Sequence, residues 1–145
     1  MMDDHTKMLV REAHWDLPEA IRHPPASPER LAQFEARYQA MPSDFRWYLL
    51  ECGGGVVGSE WVDDLEKLFE SHAKYREEFG RRRGWTMSDV FIIGWDGAGN
   101  PYGIQESTGK ILVEDHNFAG IYEMAESFES FLRNGLLEES SDSEK

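Results

Sequence analysis

Cysteine is almost absent from this chain. Cys52 is the only one in 145 residues, so no internal disulfide framework exists, and a reducing compartment, the cytoplasm, is expected. Long apolar runs are missing too, and nothing approaches the roughly 20 residues that a membrane-spanning helix needs. Met1 to His14 is charged and lacks an apolar stretch, which argues against a secretory leader. The five histidines, His5, His14, His23, His72 and His116, form no HxxxH or HExxH pair, so no metal centre is expected. Gly53-Gly54-Gly55 is followed by Val56-Val57-Gly58 and not by the Gly-Lys-Ser/Thr of a phosphate-cradling loop, and no cofactor is expected.

The most informative scarcity is of positive charge in the second half. Residues 1–84 hold 16 acids and 12 bases, whereas residues 85–145 hold 12 acids and 3 bases, within a total of −13. A field of that sign repels nucleic acid and anionic membrane and steers basic partners inward. The alternative is that the acids only keep the protein soluble. With 40% hydrophobic residues and this length, one domain around a single core is expected.

The chain is organised around Val90 to His116. Val90-Phe91-Ile92-Ile93-Gly94 is short, β-rich and bounded by turn formers, which predicts a buried central strand. Asp96-Gly97-Ala98-Gly99-Asn100 suits a hairpin loop, Tyr102 to Glu106 a second strand, Ser107-Thr108-Gly109 a turn, and Lys110 to Glu114 a third strand. The expected class is therefore α+β, a mainly antiparallel meander over about residues 90–115 packed by helices.

Upstream, residues 1–17 predict a short helix with Met8, Leu9 and Ala13 on its apolar side, then an extended Pro-rich connector to Ser27. Ser27-Pro28-Glu29 starts a helix bearing Leu31, Phe34, Tyr38 and Met41. Ser43 is expected to cap the next, whose Phe45, Tyr48, Leu49 and Cys52 share a face until Gly53 ends it. A short strand is expected at Glu60-Trp61-Val62, and a longer helix over Asp63 to Phe79 with Leu65, Leu68, Phe69, His72 and Phe79 on one side. Gly80 and Gly84 bracket Arg81-Arg82-Arg83 as a loop. Phe118 to Met124 reads equally as loop or edge strand, and Ser127 caps a closing helix with Phe128, Phe131, Leu132 and Leu136. The expected organisation is an N-terminal extension over 1–26, a domain over 27–137, and a disordered acidic tail over 138–145.

Candidate chemistry is thin. Asp96-x-Ala98-x-Asn100 lacks the oxygen ligand and the glycine that a calcium loop places at Ala98 and Pro101. Cys52 lies on an apolar helix face, where a free cysteine packs as a small hydrophobe more readily than it pairs with His116 as a nucleophile. Asp115-His116 reads as a turn closing the third strand, although Asp96, Asp115 and His116 near strand ends leave a small metal-assisted hydrolase as one alternative. Arg81-Arg82-Arg83 is a solvated loop or a salt-bridge donor in so acidic a chain. Trp47 lies off the apolar face of its helix and suits a partner surface.

Two segments together resemble the SUKH superfamily. Met41-Pro42-Ser43-Asp44-Phe45-Arg46-Trp47-Tyr48-Leu49-Leu50 running into Gly53-Gly54-Gly55 is similar to that family's Leu-Pro-x-Asp-Tyr-x-x-Phe-Leu-Leu helix leading to Asn-Gly-Gly, with Met41 for leucine and Gly53 for asparagine. Phe91-Ile92-Ile93-Gly94, Asp96-Gly97-x-Gly99-Asn100, Thr108-Gly109, Asp115-His116 and Ala125-Glu126-Ser127-Phe128-Glu129-x-Phe131-Leu132 follow the order of its meander and closing helix. The resemblance spans about Pro28 to Leu136. It implies a sheet with helices on one side, no shared catalytic machinery, and a role as a bacterial immunity protein that neutralises a cognate toxin, often a nuclease, by binding. Eukaryotic relatives imply the other possibility, a regulatory interaction scaffold. For a basic toxin domain, the expected partner-binding residues are Trp47 and the acids Glu106, Glu114, Asp115, Glu123, Glu126 and Glu129, which have only Lys110 and Arg133 nearby to neutralise them.

Overall fold

The computed structural model describes residues 2–138, so the tail expected over 138–145 lies, from Glu139 on, outside the described residues. Helix α1, Asp4–Trp15, begins where the Asp3 carboxylate accepts from the Thr6 N–H at 2.8 Å, satisfying one of the free donors of the first turn. Its buried row is Thr6, Val10 and His14, continued by Met2, not Met8, Leu9 and Ala13; Met8 is 42% exposed. The reason is tertiary. The helix lies against the C-terminal turn Arg133–Glu138, where Arg133 donates to Thr6 Oγ1 at 3.2 Å, and the Met2 N–H reaches the Asp44 carboxylate at 3.1 Å. Met2 and Val10 thereby enter the same core as the residues that follow.

Helix α2, Pro28–Arg37, starts as its sequence predicts, with Ser27 accepting from the Arg30 N–H at 3.2 Å and Pro28 at the first position. Helix α3, Ser43–Glu51, departs in one respect: Pro42 is the capping residue and Ser43 the first helical one, with no side-chain cap. Gly53 ends it at φ +81, its N–H bonded to the Leu49 carbonyl at 3.0 Å, and a Cβ there would lie 2.0 Å from the Pro24 carbonyl oxygen. Strands β1, Gly55–Val57, and β2, Glu60–Val62, form an antiparallel ribbon. Asp64 then caps α4, Leu65–Glu78, whose buried row is Leu65, Leu68, Ser71, His72 and Tyr75. Phe79 lies past its end and is 42% exposed, so Tyr75 takes the core position expected of it.

The meander is β3, Val90–Trp95; β4, Pro101–Gln105; β5, Ile111–Asp115; and β6, Gly120–Ala125, all antiparallel in the order β3-β4-β5-β6. The α+β class and the meander are as expected, and the segment that reads equally as loop or strand is β6. The position of β3 is not as expected. It is buried, yet it pairs with one strand only and forms an edge of the sheet. Side chains and backbone of the preceding segment close that edge: His72 Nε2 donates to the Ile92 carbonyl and the Asp63 N–H to the Ile93 carbonyl, both at 2.8 Å. One sheet face, with Phe91, Tyr102, Ile104 and Ile111, meets Phe34, Phe45, Tyr48, Leu49 and the closing helix α5, Phe128–Leu132. The other packs Ile92 and Leu112 under Tyr75 of α4 and Trp85 and Met87 of the segment after it.

Two buried titratable groups in α4 and just before it make opposite contributions with pH. Burial pulls the His72 imidazole from 6.5 to about 4, so its contribution is complete above pH 6.5 and is lost as pH falls toward 4. Burial pushes the Asp63 carboxyl from 3.8 to about 6, although Ser71 donates to it at 2.5 Å, so its contribution is complete below pH 3.8 and is lost as pH rises through 6. Asp63→Asn keeps the acceptor for Ser71 and removes the ionisation cost. Denaturant melts at pH 7.5 are expected to show it more stable than the parent by about 1–2 kcal/mol, a gain that vanishes near pH 4. His72→Gln should flatten the acid limb between pH 6.5 and 4. An Asp63→Asn gain that persists unchanged at pH 4 would contradict this assignment.

Candidate partner-binding surface

The hairpin of β5 and β6 carries most of the candidate residues, and the structure sorts them into two groups. Glu114 faces the segment after α4, not water. Its carboxylate accepts from the Thr86 N–H at 2.8 Å, the Met87 N–H at 3.1 Å and the Thr86 hydroxyl at 2.9 Å. Asp115 folds back on its own turn, accepting from the Asn117 and Phe118 N–H groups at 2.8 and 3.1 Å. Both acids therefore shape the hairpin. Glu123, Glu126 and Glu129 form the second group: Glu123 meets Lys110 at 3.2 Å, Glu129 meets Arg133 at 3.7 Å, and Glu126 is exposed with no ionic partner among the described residues. Glu106 stands on the β4–β5 turn, hydrogen-bonded to Gln39. Trp47 lies elsewhere, half-buried against the core with Lys7 and Arg11 of α1 over its ring, each 5.5 Å away.

Glu114 invites a direct check of its role. Glu114→Ala leaves two backbone donors and a hydroxyl without their acceptor, and a loss of about 2 kcal/mol is expected in denaturant melts. A change below about 0.5 kcal/mol, the range of ordinary surface substitutions, would return Glu114 to the exposed group.

The end of the hairpin is held by Asn100, which is 1% exposed. Its amide nitrogen donates to Asp96 Oδ2 at 3.0 Å, which turns its oxygen toward His116; that oxygen accepts from the His116 N–H at 3.1 Å and from Nδ1 of the ring. Asp96 and His116 are thus joined, but through an amide, and Asp115 is engaged in its own turn. Among the described residues no cluster of three or more His, Cys, Asp or Glu is arranged to hold a metal ion. Cys52 is buried in the core, its thiol pushed up to about 12 chiefly by burial, and the structure does not bring it to His116, which packs edge-on to Trp85.

Around this anchored hairpin stand apolar groups that the sequence did not single out: Phe118, Ile121 and Tyr122 are 76%, 48% and 49% exposed. Ile121 also lines a cleft of about 830 Å³ with Arg83, Trp85, Thr86 and His116. Arg81, Arg82 and Arg83 are exposed, with no ion pair among the described residues, and Arg83 adopts φ +65, which brings it to the cleft rim. Apolar groups beside exposed carboxylates are the composition of a binding patch, since they supply desolvation energy while the charge supplies selection of partner. From Ile111 to Leu132 there are five acids and no lysine or arginine. Ile121 and Tyr122 were hard to find because β6, Gly-Ile-Tyr-Glu-Met-Ala, does not alternate, and Phe118 lies in the turn before it.

Two comparisons bear on identity. The model of the SMI1 / KNR4 family (SUKH-1) matches residues 25–134, from the Pro-rich connector to the turn after α5. No curated protein matches the chain.

Proposed function

The chain belongs to the SMI1 / KNR4 family (SUKH-1), and from that premise we propose that it is an immunity protein, neutralising a bacterial toxin domain by binding it. The observation that carries the reading is the β5–β6 hairpin, where Phe118, Ile121 and Tyr122 stand exposed beside Glu123 and Glu126. A nuclease toxin has a basic substrate groove, and an acidic surface with apolar anchors is complementary to it in charge and able to desolvate it. Steering by a net charge of −13 speeds the encounter. Inhibition by occlusion needs no catalytic group, which agrees with Asp96, Asp115 and His116 being engaged in holding the hairpin. The site of action on this reading is the cytoplasm of the toxin-producing cell; no helix among the described residues is long and apolar enough to cross a membrane.

Co-expression tests it. Cells carrying the C-terminal toxin domain of a secreted effector encoded beside this chain should survive when the chain is present, and the purified pair should co-elute. Cell death at full expression of both, with no complex, would remove the immunity reading.

A further inference from the structure

The two edges of the four-stranded sheet are treated differently. The β3 edge is closed by His72 and by the Asp63 N–H, whereas no strand among the described residues pairs with the outer side of β6. The β4–β5 turn fixes which β6 groups face outward. The Gln105 N–H donates to the Lys110 carbonyl at 2.8 Å, so by antiparallel alternation Leu112 faces β4 while Val113 and Asp115 face β6. Opposite these two are Tyr122 and Gly120, which direct their backbone groups inward. Ile121 and Glu123 then hold their N–H and C=O groups toward the open side.

Natural edges are usually blunted by lysine, proline or a covering segment. The β6 sequence, Gly-Ile-Tyr-Glu-Met-Ala, has neither lysine nor proline, and its register shift lies at one end, opposite Ile111 and Leu112. A second copy is a poor occupant, because it would bring Glu123 and Glu126 of each chain together in a molecule already at −13. A basic strand is a good one, since among the described residues Glu126 has no ionic partner and Glu123 meets Lys110 alone.

We propose that β6 is a template for strand addition, on which an extended lysine- or arginine-bearing segment of the toxin domain pairs with the main chain of Ile121 and Glu123. Its apolar side chains lie on Ile121 and Tyr122, and its basic ones meet Glu123 and Glu126. The proposal deepens the immunity reading and rests on it for the identity of the partner.

Amide hydrogen exchange of the full chain tests it, alone and with a catalytically inactive toxin domain that the chain neutralises on co-expression. In the complex the Ile121 and Glu123 amides should slow about tenfold or more, while Tyr122, already bonded inward, changes little. Proline at an outward-facing edge position removes only the outer donor, so Ile121→Pro should weaken binding about 100-fold and Ile121→Ala no more than about tenfold. Neutralisation with the Ile121 and Glu123 amides unprotected overturns strand addition and leaves the immunity reading standing. Protection that grows with protein concentration in the absence of toxin makes a second copy the occupant and overturns the basic partner. If no toxin domain is neutralised, the immunity reading fails on its own, and a synthetic peptide of alternating lysine and valine becomes the probe; failure to protect the same two amides then overturns this proposal too.

Discussion

Replacing Asn100 by alanine is expected to cost about 3–4 kcal/mol and to loosen the β5–β6 hairpin. Three side-chain hydrogen bonds disappear at a position 1% exposed: one to Asp96, one from the His116 N–H and one from its ring. Each buried group left without its partner costs about 1–3 kcal/mol, reduced here because His116 and Asp96 keep some access to water. The cavity adds a smaller amount. Since Asn100 links the β3–β4 loop to His116, hairpin amides from Asn117 to Ile121 should exchange faster in the variant even at temperatures where the core remains folded. Denaturant melts give the first number and exchange the second. An Asn100→Ala protein with unchanged melting and unchanged hairpin exchange would show that the Asp96–Asn100–His116 link holds nothing in place. Asn100→Asp should be the milder change: its oxygens still accept from His116, but one now faces the Asp96 carboxylate.

How much of this arrangement was legible beforehand depended on whether the cause was local. Ser27 and Pro28 start α2 as read, because a cap and its first turn are decided within four residues. Gly53 likewise ends α3, where any Cβ would strike the Pro24 carbonyl. The packed row of α1 was misread because Met8, Leu9 and Ala13 are the more apolar residues, whereas the row that packs, with Thr6 and His14 in it, is chosen by the C-terminal turn more than 120 residues away, through Arg133 and Thr6. The run Val90 to Gly94 correctly announced burial, but burial does not say whether a neighbour is a strand or a helix, and α4 with the Asp63 N–H does the covering. The site divides the same way. A carboxylate in a strand looks alike in sequence whether it stands exposed to water, as Glu123 does, or meets the backbone of a distant loop, as Glu114 does at Thr86 and Met87. The family resemblance, carried by ordered short segments, was the strongest functional signal, and the matched residues 25–134 agree with it.

The second large effect expected concerns association rate. Glu123, Glu126 and Glu129 are the acids the structure leaves toward solvent around β6 and α5, and their pairs with Lys110 and Arg133 are exposed. Exposed pairs of this kind contribute about 0–1 kcal/mol each, so a Glu123→Lys/Glu126→Lys/Glu129→Lys variant should fold with at most about 2 kcal/mol lost. The field changes far more than the stability. Three charges are reversed, a shift of about six units, at the place where a basic partner arrives, and association at low salt should slow about 10- to 100-fold, with dissociation altered much less. Raising the ionic strength to about 0.5 M should draw the two rates together, because the screening length falls below the spacing of the charges. Glu114 and Asp115 are left intact, since both hold backbone. A folded triple variant that associates as fast as the parent at every salt concentration would make these acids a solvating surface and move the interface elsewhere, Trp47 and the Arg81–Arg83 loop being next in line.

The most direct measurement is hydroxyl-radical footprinting of the chain alone and bound to the toxin domain, because exposed aromatic residues on different faces serve as internal controls. In the free protein Phe118, Ile121 and Tyr122 should label, as should Trp15 and Trp61, which are 45% and 51% exposed. In the complex, labelling at Phe118, Ile121 and Tyr122 is predicted to fall steeply while Trp15 and Trp61 keep theirs. Protection of Trp15 or Trp61 with the three hairpin residues still labelled would contradict the assignment of the β5–β6 hairpin as the binding surface.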